Sequence, residues 1–441
     1  MNGKNLIYLG ILISALAAPA SNAFADAMPE LVRISQRLAN PGNPEEWPDH
    51  NDPEIFDKRY IYNYAKLMSQ REARLNDIKM PWSDTWWPSQ RGGIANRWQE
   101  GEAFPYFWPG TYKEEMRRVM SLSPEEMRLL SPAEKYDIAV GDYTFSMTRE
   151  VIGSTTPSAP IWWGICEGWT GAALNHPEPD AVTIINPDGI RVEFGSSDVK
   201  GLMALFYAWE GLKKSTQLGF RCGGGPGEEG TGGGGGTEGG DGSSVWWQRM
   251  NYGDCYDVHP AAFHIVLLNQ IGFLNEGFAA DVDGGVYGEV QGEIWNQPIF
   301  AYKTKVLEEM DCRNGCDYTA PDTVKQYRVE TLLTFADDDR PIWKPTHGTP
   351  DFFQETRAYE YWLEVDKNGN IVGGSWVSAA RPDFLWVVPK SEFTGAFAGL
   401  KQIYKSATQK PYCVPQRYID QSAEDPSIPL FPVGPVCKET P

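Results

Sequence analysis

The stretch Ile161-Trp162-Trp163-Gly164-Ile165-Cys166-Glu167-Gly168-Trp169 decides how this chain reads. An apolar, aromatic approach meets a glycine just before a cysteine. Small residues then follow: Thr170, Gly171, Ala172 and Ala173. The pattern predicts a loop that delivers a thiol to the first turn of a helix. There the unpaired backbone N–H groups and the helix dipole favour a thiolate and can hold an oxyanion. Trp162, Trp163 and Trp169 are the candidate cleft residues, with the Cys166 N–H and an indole N–H from Trp162 or Trp163 as oxyanion donors. Simple core packing explains these tryptophans equally well.

Cysteine parity points to the same residue. The chain has seven cysteines. Lys4, an apolar run from Leu6 to about Ala18 and Ala23-Phe24-Ala25 read as an export signal over residues 1–25, cleaved before Asp26. The run is too short for a membrane anchor, which takes about 20 residues. The protein is therefore expected outside the cytoplasm, extracellular or periplasmic, where thiols pair. Cys312 with Cys316, Cys413 with Cys437, and Cys222 with Cys255 form a pairing suggested by their positions, and Cys166 is left over. A metal site at Cys312/Cys316 is the weaker alternative, since no second ligand pair stands nearby.

The formal charge is −20, or −21 once Lys4 leaves with the signal. That excludes a phosphate-binding surface and hence a nucleic-acid partner. It suits lysine-rich partners or divalent cations. No later segment is apolar enough to span a membrane, and a monomer is expected. The expected organisation is a signal over 1–25, a helical N-terminal region over 26–130 compatible with a pro-segment, a catalytic domain over 131–410, and a Pro-rich, disulfide-tied tail over 411–441. Glu54 to Lys79 carries helical spacing in Ile55, Phe56, Tyr60, Ile61, Tyr64, Leu67 and Met68. Ser123-Pro124-Glu125-Glu126 and Ser131-Pro132-Ala133-Glu134 are capping boxes with proline at N1. Residues 223–244, almost all Gly, Ser, Thr and acids, read as a disordered loop. Residues 318–410 alternate like strands, with a hairpin about Lys367-Asn368-Gly369. The fold class is thus α+β.

A thiol nucleophile needs a base and a group to orient it. Of five histidines, His50 lies in the N-terminal region and His176 is too far along the helix from Cys166. His347 lies in a turn-rich segment and His259 at a boundary before Pro260. His264 is embedded in an apolar run and is the preferred base. Asp281, flanked by apolar residues, is preferred over Asp283 as its orienting acid. A pair of turn-capping acids is the alternative reading. Cys, then His about a hundred residues on, then Asp is the chain order of papain-like and transglutaminase folds. That order supports acyl transfer without choosing water or an amine as acceptor.

Glu293-Ile294-Trp295-Asn296-Gln297-Pro298-Ile299-Phe300-Ala301-Tyr302-Lys303 closely resembles the VWNQPV-type surface signature of the secreted transglutaminase elicitors of oomycete plant pathogens. Trp295, Asn296, Gln297, Pro298 and Lys303 match. Phe300 and Ala301 depart, where that signature has Arg and Gly. Ser131 to Tyr136, the stretch around Cys166, His259 to Asn269, and Gly373 to Trp386 also look like this family, so the likeness spans about residues 125–390. It implies a secreted protein-glutamine γ-glutamyltransferase with a cysteine-protease-like core, acting on protein Gln and on Lys or polyamine amines; the signal peptide and its A-x-A site suggest a bacterial relative. It implies Cys166, His264 and Asp281 as nucleophile, base and acid. No cofactor is needed for the chemistry, but calcium influence is implied. Asp337-Asp338-Asp339 and Asp311/Asp317 are candidate positions, although solvated acidic turns explain each. A secreted protease or glutamine deamidase of the same fold, and a non-enzymatic host-interaction or surface-binding protein, are the competing readings.

Overall fold

The computed structural model describes residues 51–101, 103–107, 109–219, 258–282, 293–316, 319–345, 347, 353–378, 381–408, 412–414 and 436–438. The signal segment, the Gly-rich stretch, Cys222 and Cys255 lie outside them. A helical layer and a large antiparallel sheet form an α+β fold. The helices are α1 (Tyr64–Leu67), α2 (Tyr112–Met120), α3 (Pro124–Leu129), α4 (Pro132–Val140), α5 (Ser146–Gly153), α6 (Cys166–Asn175), α7 (Ser196–Trp209), α8 (Pro260–Leu267) and α9 (Ala398–Thr408). The main sheet runs β4 (Thr216–Leu218), β10 (Leu385–Val387), β5 (Phe278–Asp281), β6 (Asn296–Asp311), β7 (Thr323–Ala336), β8 (Gln354–Asp366), β9 (Ile371–Trp376), with β1 (Glu72–Arg74) also on β6. Two two-stranded sheets, β2 (Val182–Ile185) with β3 (Arg191–Phe194) and β11 (Tyr412–Val414) with β12 (Val436–Lys438), are separate from it.

Local chemistry sets several of these elements. Ser123 and Ser131 cap α3 and α4, accepting from Glu126 N and Glu134 N at 3.2 Å each. The two glutamates reach back to the serine N–H groups at 2.8 and 2.9 Å, so both expected capping boxes are present. The β8–β9 hairpin turns at the expected Asn368-Gly369, where Gly369 has φ +82°. Asp366 Oδ1 accepts from Asn368 N and Asn370 N at 2.8 Å each, so this carboxylate caps the turn. Cys312 and Cys316 form a disulfide, and Cys413 stands opposite Cys437 in the β11–β12 register.

Residues 51–98 depart from the helical expectation, whereas α2 and α3 meet it. Between residues 51 and 98 the only α-helix among the described residues is the four-residue α1. Tyr60, Tyr64, Leu67 and Met68 do face a core, but from a chain held by distant partners. The Asn269 side chain accepts from Ile61 N and donates to Ile61 O, both at 2.9 Å. A backbone so clasped has no need of an intrahelical partner. Beyond it, Glu72, Ala73 and Arg74 pair with Lys303, Tyr302 and Ala301, which makes this segment part of the main sheet.

Two cores lie on the two faces of the sheet. Along a strand, successive side chains alternate faces. Ala279 and Trp386 belong to the core that contains Cys166, Trp169 and α7. Phe278, Ala280 and Leu385 belong to the core that contains α8, Tyr359, Tyr361, Leu363 and Val365. The sheet at β5 and β10 therefore separates α6 from α8, which decides which residues can meet the thiol.

Candidate active site

Cys166 is the first residue of α6. Among the described cysteines it is the free one, and it is 6% exposed. The approach to it is an extended pairing. Ile165 N donates to Trp86 O at 2.7 Å, and Ser89 N donates to Trp163 O at 2.8 Å. Both flanking glycines are required by close backbone contacts. A Cβ at Gly164 would stand 2.2 Å from Trp86 O, and one at Gly168 would stand 2.1 Å from Ala204 O on α7. The first glycine lets the N-terminal segment lie on the loop, and the second lets α6 pack against α7. The sequence pattern Gly-x-Cys-x-Gly is thus steric in origin and fixes where the sulfur points.

The sulfur faces the beginning of β6. Asn296 Nδ2 and Ile294 O each stand 3.8 Å from Sγ, and Glu167 Oε2 stands 3.7 Å away. Trp386 Nε1 donates to Asn296 Oδ1 at 2.6 Å, and Thr170 Oγ1 donates to Asn296 O at 2.8 Å. Asp281 pairs with Asn296 across β5 and β6, which puts both side chains on the face toward Cys166. Asp281 Oδ1 accepts from Trp295 N at 2.8 Å. Trp295 in turn packs edge-on against Trp86 at 5.8 Å.

The electrostatics of this cluster favour a protonated thiol at rest. Burial pushes the Cys166 thiol far up, and Glu167 and Asp281 push the same way, while the backbone N–H and side-chain amide of Asn296 pull it down. Burial also pushes the Glu167 carboxyl up to about 7, against the pull of its own backbone N–H and the thiol.

The expected site residues divide. Cys166 and Asp281 are on one face of the sheet. His264 is on the other, and the expected contact between thiol and imidazole is not made. Its Nδ1 is 2.8 Å from Tyr361 Oη, which is 2.7 Å from Thr331 Oγ1. Its Nε2 has no hydrogen-bond partner among the described residues, and burial pushes the ring down to about 3, so it is neutral in ordinary buffers. The described partners of the thiol include no histidine. His176 bonds Tyr207 at 2.9 Å, His347 bonds Asp180 at 2.9 Å, and His259 accepts from Ala261 N at the start of α8. Trp169 is fully buried and donates to Trp82 O at 3.0 Å, so it is a core residue rather than a cleft residue. Trp162 and Trp163 are partly exposed, packed edge-on at 6.0 Å, beside the exposed Ile161. The Trp163 Nε1 is buried with no hydrogen-bond partner among the described residues. Asn296, Gln297, Ile299 and Phe300 are buried, so this part of the expected surface signature is interior.

Glu167 and Trp386 escaped the sequence reading. Glu167 was masked by the assumption that a base must be histidine. Trp386 lies 90 residues from its partner, and no local pattern announces that bond.

Among the described residues no group of three or more His, Cys, Asp or Glu side chains is placed to hold a metal ion. Asp311 is engaged by Arg313, and Asp317 lies outside the described residues. Nor is any described helix long and apolar enough to cross a membrane.

The fold has a solved counterpart. The crystal structure of the GP42 transglutaminase from Phytophthora sojae superposes with a TM-score of 0.56 at 20% identity, covering 82% of this chain and 99% of that one. No curated protein matches the sequence. The family described as Transglutaminase elicitor matches residues 53–395, a span that runs from the first described segment through β10 and includes Cys166, Asp281 and Asn296. The chain is a member of the transglutaminase elicitor family.

Proposed function

We propose that this protein is a secreted protein-glutamine γ-glutamyltransferase that works through a Cys166 thioester. The observation that carries the reading is the free thiol at the start of α6, facing Asn296 and Asp281 inside the family match. A helix start set against an antiparallel sheet is the arrangement a cysteine-protease-like core would use. GP42 of Phytophthora sojae, whose fold this chain shares, is a transglutaminase.

The geometry supports giving the proton to a carboxylate on the thiol's own face rather than to His264. Glu167 is the carboxylate in contact with Sγ, and its pKa of about 7 suits an acceptor at neutral pH. The S–H bond breaks as an O–H bond forms on Glu167. The thiolate attacks the γ-carboxamide carbon of a substrate glutamine, and the tetrahedral oxyanion takes the Cys166 N–H and the Trp163 indole N–H. The Glu167 proton leaves with ammonia, giving the thioester. A lysine or polyamine nitrogen then attacks, its proton returns through Glu167 to the sulfur, and the isopeptide bond forms. Asp281 acts by charge and by holding Trp295. Trp86, Trp162 and Trp295 would limit water at the thioester, which otherwise deamidates the substrate.

The test is incorporation of a labelled primary amine into a glutamine-donor protein by wild type and by Cys166→Ala, with and without calcium. Incorporation that depends on Cys166 is expected. Peptide cleavage or ammonia release without incorporation would instead assign the hydrolase reading. The chemistry written here requires no cofactor, so the calcium arm decides that question separately.

A further inference from the structure

Asn296 turns its side-chain amide toward the nucleophile. Its Nδ2 stands 3.8 Å from Cys166 Sγ. The orientation of the amide is fixed by chemistry. An indole N–H can only donate, so the oxygen of the Asn296 amide must face Trp386 Nε1, 2.6 Å away. The NH2 group is thereby left for the sulfur. Thr170, one turn along α6, holds the Asn296 carbonyl and ties this strand end to the helix that carries the thiol. Asn296, Trp386 and Thr170 are all buried, so water does not compete for these bonds.

We propose that Asn296 is a catalytic residue whose side-chain NH2 group holds the Cys166 thiolate, and that Trp386 is the residue that positions it. The assignment rests on Cys166 being the nucleophile. Its logic is differential. Burial and two carboxylates oppose the thiolate, and the Asn296 amide pulls the other way. When the S–H proton passes to Glu167, the negative charge moves from oxygen to sulfur, and the Asn296 NH2 group then meets an anion. In the thioester the sulfur is neutral and this bond weakens. When the amine displaces the sulfur, the charge returns and the bond is made again. An interaction stronger at the charged sulfur than in the resting thiol or the thioester speeds both half-reactions. It also gives the signature segment around Asn296 a chemical task.

The experiment uses the full chain as wild type, Asn296→Ala, Asn296→Asp and Trp386→Phe. Alkylation of Cys166 by iodoacetamide is followed by mass spectrometry from about pH 5 to about pH 9, across the range where thiols ionise. Amine-incorporation kinetics and thermal melts accompany it. Asn296→Ala is expected to move the alkylation profile up by about one pH unit, about a tenfold slower reaction at neutral pH. Asn296→Asp still accepts from Trp386 but replaces the donor with an anion, and should react more slowly than Asn296→Ala. Trp386→Phe should shift the profile in the same direction by less. For all three, kcat should fall with KM nearly unchanged. A wild-type alkylation profile in Asn296→Asp overturns the assignment, and so does a Trp386→Phe variant that loses melting temperature without moving its profile. Asn296→Asp, nearly isosteric, carries the test if Asn296→Ala does not fold. If wild type is alkylated but incorporates no amine, the transglutaminase reading fails while the profiles still decide the role of Asn296.

Discussion

Replacing Glu167 by Gln separates the reactivity of the thiol from turnover. The carboxylate oxygen lies 3.7 Å from Sγ. At an effective dielectric constant of about 20, two unit charges at that distance repel by about 4 to 5 kcal/mol. That corresponds to about three pKa units, and partial exposure of Glu167 reduces it to about two. Gln keeps the shape and removes the charge. Above the Glu167 pKa of about 7, the thiolate fraction should therefore rise, and iodoacetamide should label Cys166 up to about a hundredfold faster than in wild type. Amine incorporation should move the other way. The variant has no proton acceptor in contact with the thiol, and loss of a general base typically costs about 10² to 10⁴ in rate. The assays are alkylation at about pH 8 followed on the Cys166 peptide, and single-turnover amine transfer on the same preparation. Faster labelling with slower transfer supports the proton path through Glu167. Slower labelling, or transfer at the wild-type rate, would refute it.

His264→Ala leaves Tyr361 hydrogen-bonded to Thr331 and opens a cavity in a closed core, so it should cost about 2 to 4 kcal/mol in denaturant melts while sparing kcat per folded molecule; a loss of kcat near 10⁴-fold without destabilisation would return it to the catalytic set. The Glu167 carboxyl is raised from 4.5 to about 7, so its ionisation is disfavoured in the fold. Its favourable contribution is fully present below the unfolded value and is lost as pH rises through about 7, by at most about 3 kcal/mol; in the difference melt between wild type and Glu167→Gln, a wild-type chain that gains relative stability over that window would contradict the assignment. Gly168→Ala drives a Cβ to 2.1 Å from the Ala204 carbonyl, and should destabilise by about 1 to 3 kcal/mol or more by chemical unfolding because backbone cannot yield as a side chain does. Asp198→Asn breaks the fully buried ion pair with Lys135 at 2.6 Å beneath α7, and a loss of about 3 to 5 kcal/mol is expected, read by urea titration.

What could be read from the sequence was local, and what could not was a question of faces. The capping boxes at Ser123 and Ser131, the turn at Asn368-Gly369 and the Cys312–Cys316 bridge are each decided within five residues, and each is found. The thiol at a helix start was equally local, because the glycines beside it are there to admit Trp86 and α7. The spacing from Glu54 to Lys79 marked Tyr60, Tyr64, Leu67 and Met68, which do meet a core, yet a clasp from Asn269 and pairing with β6 shaped the backbone of this segment. His264 was harder still. α8 is buried on every side, so its periodicity carries no direction, and the alternation of Phe278-Ala279-Ala280-Asp281 says that two faces exist without saying which one meets α6. Once the register of β5 on β6 is known, the ambiguity closes. Asp281 must lie beside Asn296, Asn296 beside the sulfur, and α8 behind the strand that carries them both. A histidine there can support the sheet through Tyr361. On the proposed path, moving a proton from Cys166 falls to Glu167 on the near face, and the amide that Trp386 orients is what would make a thiolate tolerable there.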